Sequence, residues 1–557
     1  MNKLTTGDYV VFAIYFFVVA FYGLWIYQRK RKAVSGSHDY FLAEGSLTWW
    51  AIGASLIASN ISAEQFIGMS GSGFKMGLAI ATYEWMAAAT LIIVAIFFIP
   101  VYLKNKIFTM PQFLNQRYNG TVAMIMAVFW LLLYVVVNLT SILYLGALAV
   151  SSISGVSLNA CIWGMAIFAV IITLGGMKVI GYTDVIQVFF LILGGLVTTY
   201  IAVNLVSTHF GANGILGGLS VMREQAADHF HMIFNHDNPN YLDLPGLSVL
   251  IGGMWIVNLN YWGCNQYITQ RALGADLKTA RGGILFAAFL KLLMPVIVVL
   301  PGIAAFILYK QDVFDFSHKI GVGADVNPDR AYPVLLNLLP SGLKGLSFAA
   351  LTAAVVASLA GKANSIATIF TLDVYKKFKP EISDKQTVTI GKITVIVAMF
   401  LGIVLCTHLG IDKKGGFQYI QEYTGFVSPG IFAMFILGFF WKKTTPNAAL
   451  FATIGGFALS CGFKVLPKVV NLAGLAPFGF SAKNADGIYE MPFIDRMGFV
   501  FLICVVGMYI ISMLENAKGD KVHGLEVDAS MFKTSKSFTI GALLVGGILV
   551  ALYSVYW

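Results

Sequence analysis

Glu84 and Lys291 are charged side chains set inside apolar stretches long enough to cross a bilayer. An ionisable group near the middle of a membrane helix costs roughly 2.5–3.5 kcal/mol on insertion scales, so a chain keeps one mainly where it lines a solute path or meets a partner. A carboxylate and an ammonium give charge-assisted hydrogen bonds to a polar solute and neutralise each other when close. The alternative is a structural pair that locks two helices together. Amides share these stretches, in the runs Ser59-Asn60-Ile61-Ser62-Ala63-Glu64-Gln65 and Asn258-Leu259-Asn260-Tyr261-Trp262-Gly263.

Composition decides what medium these groups sit in. The 557 residues are 58% hydrophobic and 11% charged, with a mean hydropathy of +0.78. Soluble domains average about a quarter charged residues, so the chain reads as a polytopic membrane protein. The net charge of +10 would suit a nucleic-acid partner, but the basic residues come in short clusters between apolar segments, where they orient a membrane protein instead. No nucleic acid is expected. The cysteines Cys161, Cys264, Cys406, Cys461 and Cys504 lie in apolar segments without paired spacing and read as small core hydrophobes. No short apolar stretch with a small-residue cleavage site opens the sequence, so the first span is expected to be retained.

That first span, at about residues 9–27, is followed by Arg29, Lys30, Arg31 and Lys32, which hold this end in the cytoplasm and put the N-terminus outside. Further spans are expected at about 48–72, 77–103, 121–150, 158–178, 181–206, 246–270, 282–309, 342–375, 386–411, 416–441, 446–466, 493–514 and 537–557, each long enough for the hydrocarbon layer. The total is fourteen transmembrane helices in an all-α protein, with the C-terminus outside too. Lysine and arginine gather in the loops this order puts inside, such as Lys376, Lys377 and Lys379, or Lys442 and Lys443.

The two polar runs fall in the second and seventh spans, and Glu84 and Lys291 each lie in the span that follows. Matching interruptions five helices apart point to an inverted 5+5 repeat, because an odd number of crossings reverses the second copy. The chain then divides into an N-terminal helix with a basic loop (1–47), a first repeat (48–206), an outside loop (207–245), a second repeat (246–441) and three further helices (442–557). Unwound backbone at membrane depth is tolerated only where it is buried in protein or lines a cavity. That is the architecture of an alternating-access carrier.

Longer motifs carry a resemblance: Ala58 to Gly68, Tyr83-Glu84-Trp85, Thr183-Asp184-Val185-Ile186-Gln187, Asn265-Gln266-Tyr267 and Tyr419 to Gly425. Through them nearly the whole chain resembles the sodium/solute symporter family, and most of all its bacterial sugar-carrying members. The resemblance implies a leucine-transporter-type core from the second to the eleventh span, with one extra helix before it and three after. It also implies sodium-coupled uptake of a hexose across the cell (inner or plasma) membrane, with sodium and a sugar as partners. In its sugar site, Gln65, Glu84, Asn258, Lys291 and Gln421 hydrogen-bond the hydroxyls, and Asn60 and Asn138 line the same cavity. Tyr261 stacks under the pyranose as the inner gate, and Trp262 follows it. The chemistry is coherent, since hydroxyls both donate and accept while an aromatic face suits the C–H side of the ring.

For sodium the resemblance implies carbonyls of Ala58, Ile61 and Ala354, with hydroxyls from residues 353–363. A hard cation takes oxygen ligands, which a broken helix supplies. The family carries two adjacent hydroxyl residues here, whereas this chain has Ala357 before Ser358, one oxygen fewer. Lys362 departs too, one turn beyond Ser358 on the same face and about 6 Å nearer the cytoplasm. Asp184 matches a position on the sodium exit path. Lys362 is expected near Asp184, weakening or replacing the cation; the other reading is a snorkelling lysine. Proton coupling and uniport therefore stand beside sodium coupling.

Other signals carry less. Gly71-Ser72-Gly73 has no strand before it and reads as close helix packing, not as a phosphate loop. His229, His231 and His236 match no tetrahedral zinc spacing. A membrane enzyme acting on a lipid-linked sugar would need paired carboxylates or a metal triad at the interface, and none is present in the sequence pattern. No enzymatic activity is expected.

Overall fold

The computed structural model describes residues 4–30, 48–107, 109–175, 178–381, 383–408, 415–519 and 524–557. Most of the basic loop after the first helix, with Arg31 and Lys32, lies outside the described residues. The described chain is helical apart from one two-stranded antiparallel hairpin, in which Ala482 pairs with Glu490 and Lys483 with Tyr489. Among the described residues nine helices are long and apolar enough to cross a membrane, or ten if the bent pair Gly416–Thr424 and Ser428–Phe440 is one span. Phe17, Phe189, Leu543 and Val550 are 63–77% exposed, the outward apolar surface expected of a protein solvated by lipid. The chain is a multi-pass membrane protein.

The first polar run breaks its helix. Trp49–Asn60 ends at Ile61, whose extended backbone (φ −74, ψ 115) leaves the helical path. The chain re-enters as a π-helical turn, Glu64–Met69, and continues as Ser70–Met76. At Gly77 a φ of +69 stops this segment before Thr82–Ile93 begins, and a Cβ there would lie 2.3 Å from the His229 carbonyl oxygen. Trp49–Asn60 packs against Leu277–Val298 through two glycines. A Cβ on Gly53 would lie 2.6 Å from the Gly283 carbonyl oxygen. This approach sets the distance between Asn60, seven residues after Gly53, and Lys291, eight after Gly283.

The second break differs from expectation. Gly253–Gly263 is continuous through Asn258, Asn260 and Tyr261, and the interruption falls at Cys264 (φ −119, ψ 6), before Gln266–Leu273. Packing explains the shift. A Cβ on Gly263 would lie 2.4 Å from the Phe98 ring, and Tyr102 donates its hydroxyl to the Gly263 carbonyl at 2.7 Å. That carbonyl is held by a neighbouring helix, and the chain turns immediately after it.

The two halves of the bent helix meet at 50°. At its start, Gly416 N–H donates to the buried Asp329 carboxylate at 2.7 Å. The same residue presses on the first broken helix, where a Cβ on Gly71 would lie 2.4 Å from Asp329 Oδ1. The expected close packing at Gly71 is thus against a loop carboxyl. At the far end, buried Arg117 donates to the carbonyls of Gly438, Trp441 and Thr444 at 2.8–2.9 Å, satisfying groups that a helix terminus leaves unpaired.

Burial pushes the Asp329 carboxyl up to about 7, against the opposite pull of the Gly416 N–H and the Lys75 ammonium. The unfolded chain would titrate near 3.8, so the folded state binds the extra proton in between. This stability is fully present below the unfolded value and is lost as pH rises through 7. Between pH 6 and 8 the loss is about 1.4 kcal/mol. Thermal unfolding of detergent-purified protein at both pH values should show it, and Asp329→Asn should remove that part of the slope. Equal slopes in the two proteins would contradict this assignment.

Candidate functional site

A single cavity gathers the polar residues. Asn60, Gln65, Glu84, Asn138, Asn258, Tyr261, Trp262, Lys291, Gln421, Ser358 and Lys362 all line it. Ala58, Ile61, Ala354 and Ala357 do not belong to that wall. The resemblance implies a sodium role for Ala58, Ile61 and Ala354 through backbone carbonyls, and Ala357 carries no side-chain oxygen to offer. Asp184 lies on the Lys178–His209 helix with its side chain outside the described residues, and the expected Lys362–Asp184 pairing lies outside them too.

At the centre Lys291 is almost wholly buried. Its ammonium donates to Glu84 Oε2 at 2.5 Å and to Asn60 Oδ1. The bonded trio comes from three segments: the end of Trp49–Asn60, the first turn of Thr82–Ile93, and Leu277–Val298. Asn60 is thereby oriented, because its oxygen accepts from Lys291 and its nitrogen donates to Tyr261 Oη at 3.2 Å. The ammonium also lies 5.2 Å from the Trp262 ring centroid, within cation–π range. Tyr261 and Trp262 meet edge to face at 5.2 Å.

The remaining amides have different duties. Asn258 donates to the Met254 carbonyl at 3.2 Å and Asn260 to Ser428 Oγ at 3.1 Å. Gln65 Oε1 is buried without a hydrogen-bond partner. A buried amide oxygen left unpaired costs about 1–3 kcal/mol, so it is an acceptor waiting for a donor. Gln65 and Asn138 stand on π-helical turns, Glu64–Met69 and Leu133–Leu139, irregularities that often accompany functional sites. Tyr83 and Phe417 meet edge to face at 5.0 Å on another part of the wall.

Sequence reasoning left Glu64, Tyr134, Asn260 and Asn265 out of this wall, where the structure places them. Two signals were present. Asn260 lies in the same polar run as Asn258, and Tyr134 precedes Asn138 by one helical turn. Among the described residues no group of three or more His, Cys, Asp or Glu could hold a metal ion. His229 instead stacks on Phe306 at 3.9 Å, and His236 meets the Ser481 carbonyl at 2.7 Å.

Interrupted helices around a buried polar cavity, in a shell of apolar helices, define a membrane carrier. Residues 40–456 match the Sodium:solute symporter family, and this chain belongs to that family. It is 45% identical to a sodium/glucose cotransporter of Vibrio parahaemolyticus, covering 100% of this chain and 99% of that protein. Human sodium/myo-inositol cotransporter 2 is 35% identical over 82% of this chain and 69% of its own length. A solved Na+-coupled sialic acid symporter, in a substrate-bound outward-open state, superposes with a TM-score of 0.71 at 22% identity, covering 92% of this chain and 98% of that one. At that identity the likeness establishes the fold.

The wall residues differ in what their removal should cost the fold. Lys291→Met leaves a buried carboxylate without its cation and should cost about 3–5 kcal/mol of stability. The Glu84→Gln/Lys291→Met double variant should recover most of that loss in detergent melting curves. Gln65→Met removes an unpaired acceptor, so stability should stay within about 1 kcal/mol of wild type while solute binding weakens. A Gln65 variant that melts well below wild type yet binds solute normally would reverse the assignment.

Proposed function

We propose that this chain is a secondary active transporter that takes up a glucose- or galactose-like hexose by alternating access, driven by sodium moving inward. Sodium is the co-transported ion, and no enzymatic step is involved. The observation that carries this reading is the cavity itself. One wall converges a carboxylate, an ammonium, amides and an aromatic pair, a donor and acceptor set matched to a ring of hydroxyls with an apolar face. The full-length likeness to a sodium/glucose cotransporter supports the same solute and ion.

In this reading Gln65, Glu84, Asn258, Lys291 and Gln421 hold the hydroxyls, Asn60 and Asn138 complete the cavity, and Tyr261 with Trp262 gates it. Sodium sits where the Trp49–Asn60 helix breaks, on carbonyls of Ala58, Ile61 and Ala354 and the hydroxyl of Ser358, with Ala357 contributing no oxygen. The extended backbone at Ile61 is support, since it turns peptide oxygens away from the helical ladder. One charge moving inward gains about 2.3 kcal/mol per 100 mV.

The architecture we propose has fourteen spans, with a 5+5 inverted repeat at 48–206 and 246–441 and both termini outside. Its support is geometric. The continuous stretch Glu64–Lys104 has 41 residues, about 60 Å of helix and twice the hydrocarbon thickness, and the positive φ at Gly77 divides it. A second reading, uptake of a cyclic polyol, is favoured by the myo-inositol cotransporter relatives.

Uptake by reconstituted protein should vanish when choline replaces sodium and should persist in sodium at two pH values. Glu84→Ala and Lys291→Ala should each abolish it. Undiminished uptake in choline would rule out sodium coupling, and near-normal transport by either variant would remove that residue from the site.

A further inference from the structure

The sugar site leaves a second pair of charges in the same cavity unused. Glu64 stands on the π-helical turn beyond the first break, where Ser141 Oγ donates to its carboxylate at 3.3 Å. Lys362 projects from the Leu343–Thr368 helix, its ammonium 4.7 Å from the Tyr134 ring centroid. Both line the cavity, and Lys362 is the cation whose field acts on Glu64. Neither residue hydrogen-bonds Lys291, whose ammonium is taken by Glu84 and Asn60. Ionisable groups at this depth are kept for a purpose.

Lys362 stands one helical turn, about 6 Å, beyond Ser358 on the same helix face, and Ser358 lines the cavity with it. A cation resting on Ser358 and the broken first helix therefore shares its surroundings with a fixed ammonium and a carboxylate. Two like charges within about 10 Å of each other repel strongly enough to change affinity roughly tenfold at the effective dielectric of a partly hydrated interior. A carrier must also release its ion, and an ion held too tightly stalls the cycle.

We propose that Lys362 sets the sodium affinity of this transporter: its ammonium, counterbalanced by Glu64, weakens the neighbouring cation site so that the ion leaves once the cavity opens inward. This rests on the sodium-coupled reading above. Lys362 acts through its field on the ion and is a positioning charge, not a sodium or sugar ligand.

The test compares Lys362→Met, Lys362→Gln and Lys362→Arg in proteoliposomes. It reads the sodium concentration giving half-maximal sugar uptake and the sugar KM at saturating sodium. Half-saturating sodium should fall about tenfold in the Met and Gln variants, stay near wild type in the Arg variant, and rise in Glu64→Gln. The double variant Glu64→Gln/Lys362→Met should fall between the singles, and sugar KM should stay within about twofold throughout. If a variant no longer transports, sodium titration of its melting temperature in detergent reads the same affinity. Unchanged sodium affinity in both Lys362→Met and Lys362→Gln overturns the proposal. Wild-type uptake that persists in choline overturns the sodium reading beneath it, by a separate observation.

Discussion

Lys291 is the constraint around which the cavity is arranged. Its ammonium is buried at membrane depth and is bonded to Glu84 and Asn60. Alone in a low-dielectric interior, either charge would cost several kcal/mol. Together they are tolerable only if the helices that carry them hold one geometry. The glycine contact between Gly53 and Gly283 supplies that geometry by letting two backbones approach without side chains between them. A pair so placed fixes the orientation of Asn60, and Asn60 in turn fixes the Tyr261 hydroxyl. The chemistry offered to a solute is thus set by helix packing about two turns away.

Irregular backbone does the rest. The break at Ile61 and the π-helical turns at Glu64–Met69 and Leu133–Leu139 rotate Gln65, Tyr134 and Asn138 relative to a continuous α-helix, so polar groups face inward from spans that are otherwise apolar. The bent helix carries Gln421 on the same wall. Its two ends are tied by buried ionisable side chains, Asp329 at the start and Arg117 at the finish. Glu422, beside Gln421, is further held by Arg496 at 3.3 Å and Lys464 at 2.9 Å. Those partners lie in the C-terminal helices, which therefore brace the cavity wall although they contribute no residue to it.

Much of this was legible in the sequence, for particular reasons. Glu84 and Lys291 stood out because charge in an apolar run is expensive, and their pairing follows from the same cost. The first break was readable because Ser59 to Gln65 interrupts an apolar pattern. The second was misplaced: polar Asn258 to Tyr261 stay helical because their side chains find partners across the cavity or within the helix, while the chain turns at Cys264, where the backbone of Gly263 packs against Phe98. Glycine packing of that kind leaves no periodic signal. The role of Glu64 was hidden for a related reason, since its relation to Lys362 joins segments almost three hundred residues apart in sequence.

Coupling is a statement about two binding equilibria, and it is tested most directly by measuring both. Calorimetric titration of detergent-purified protein with glucose or galactose, in sodium and in choline, gives one ratio of affinities; titration with sodium, with and without the sugar, gives the other. A shared cavity that links ion and sugar requires the two ratios to exceed one and to be equal. Sugar affinity identical in sodium and choline would contradict the account at its centre.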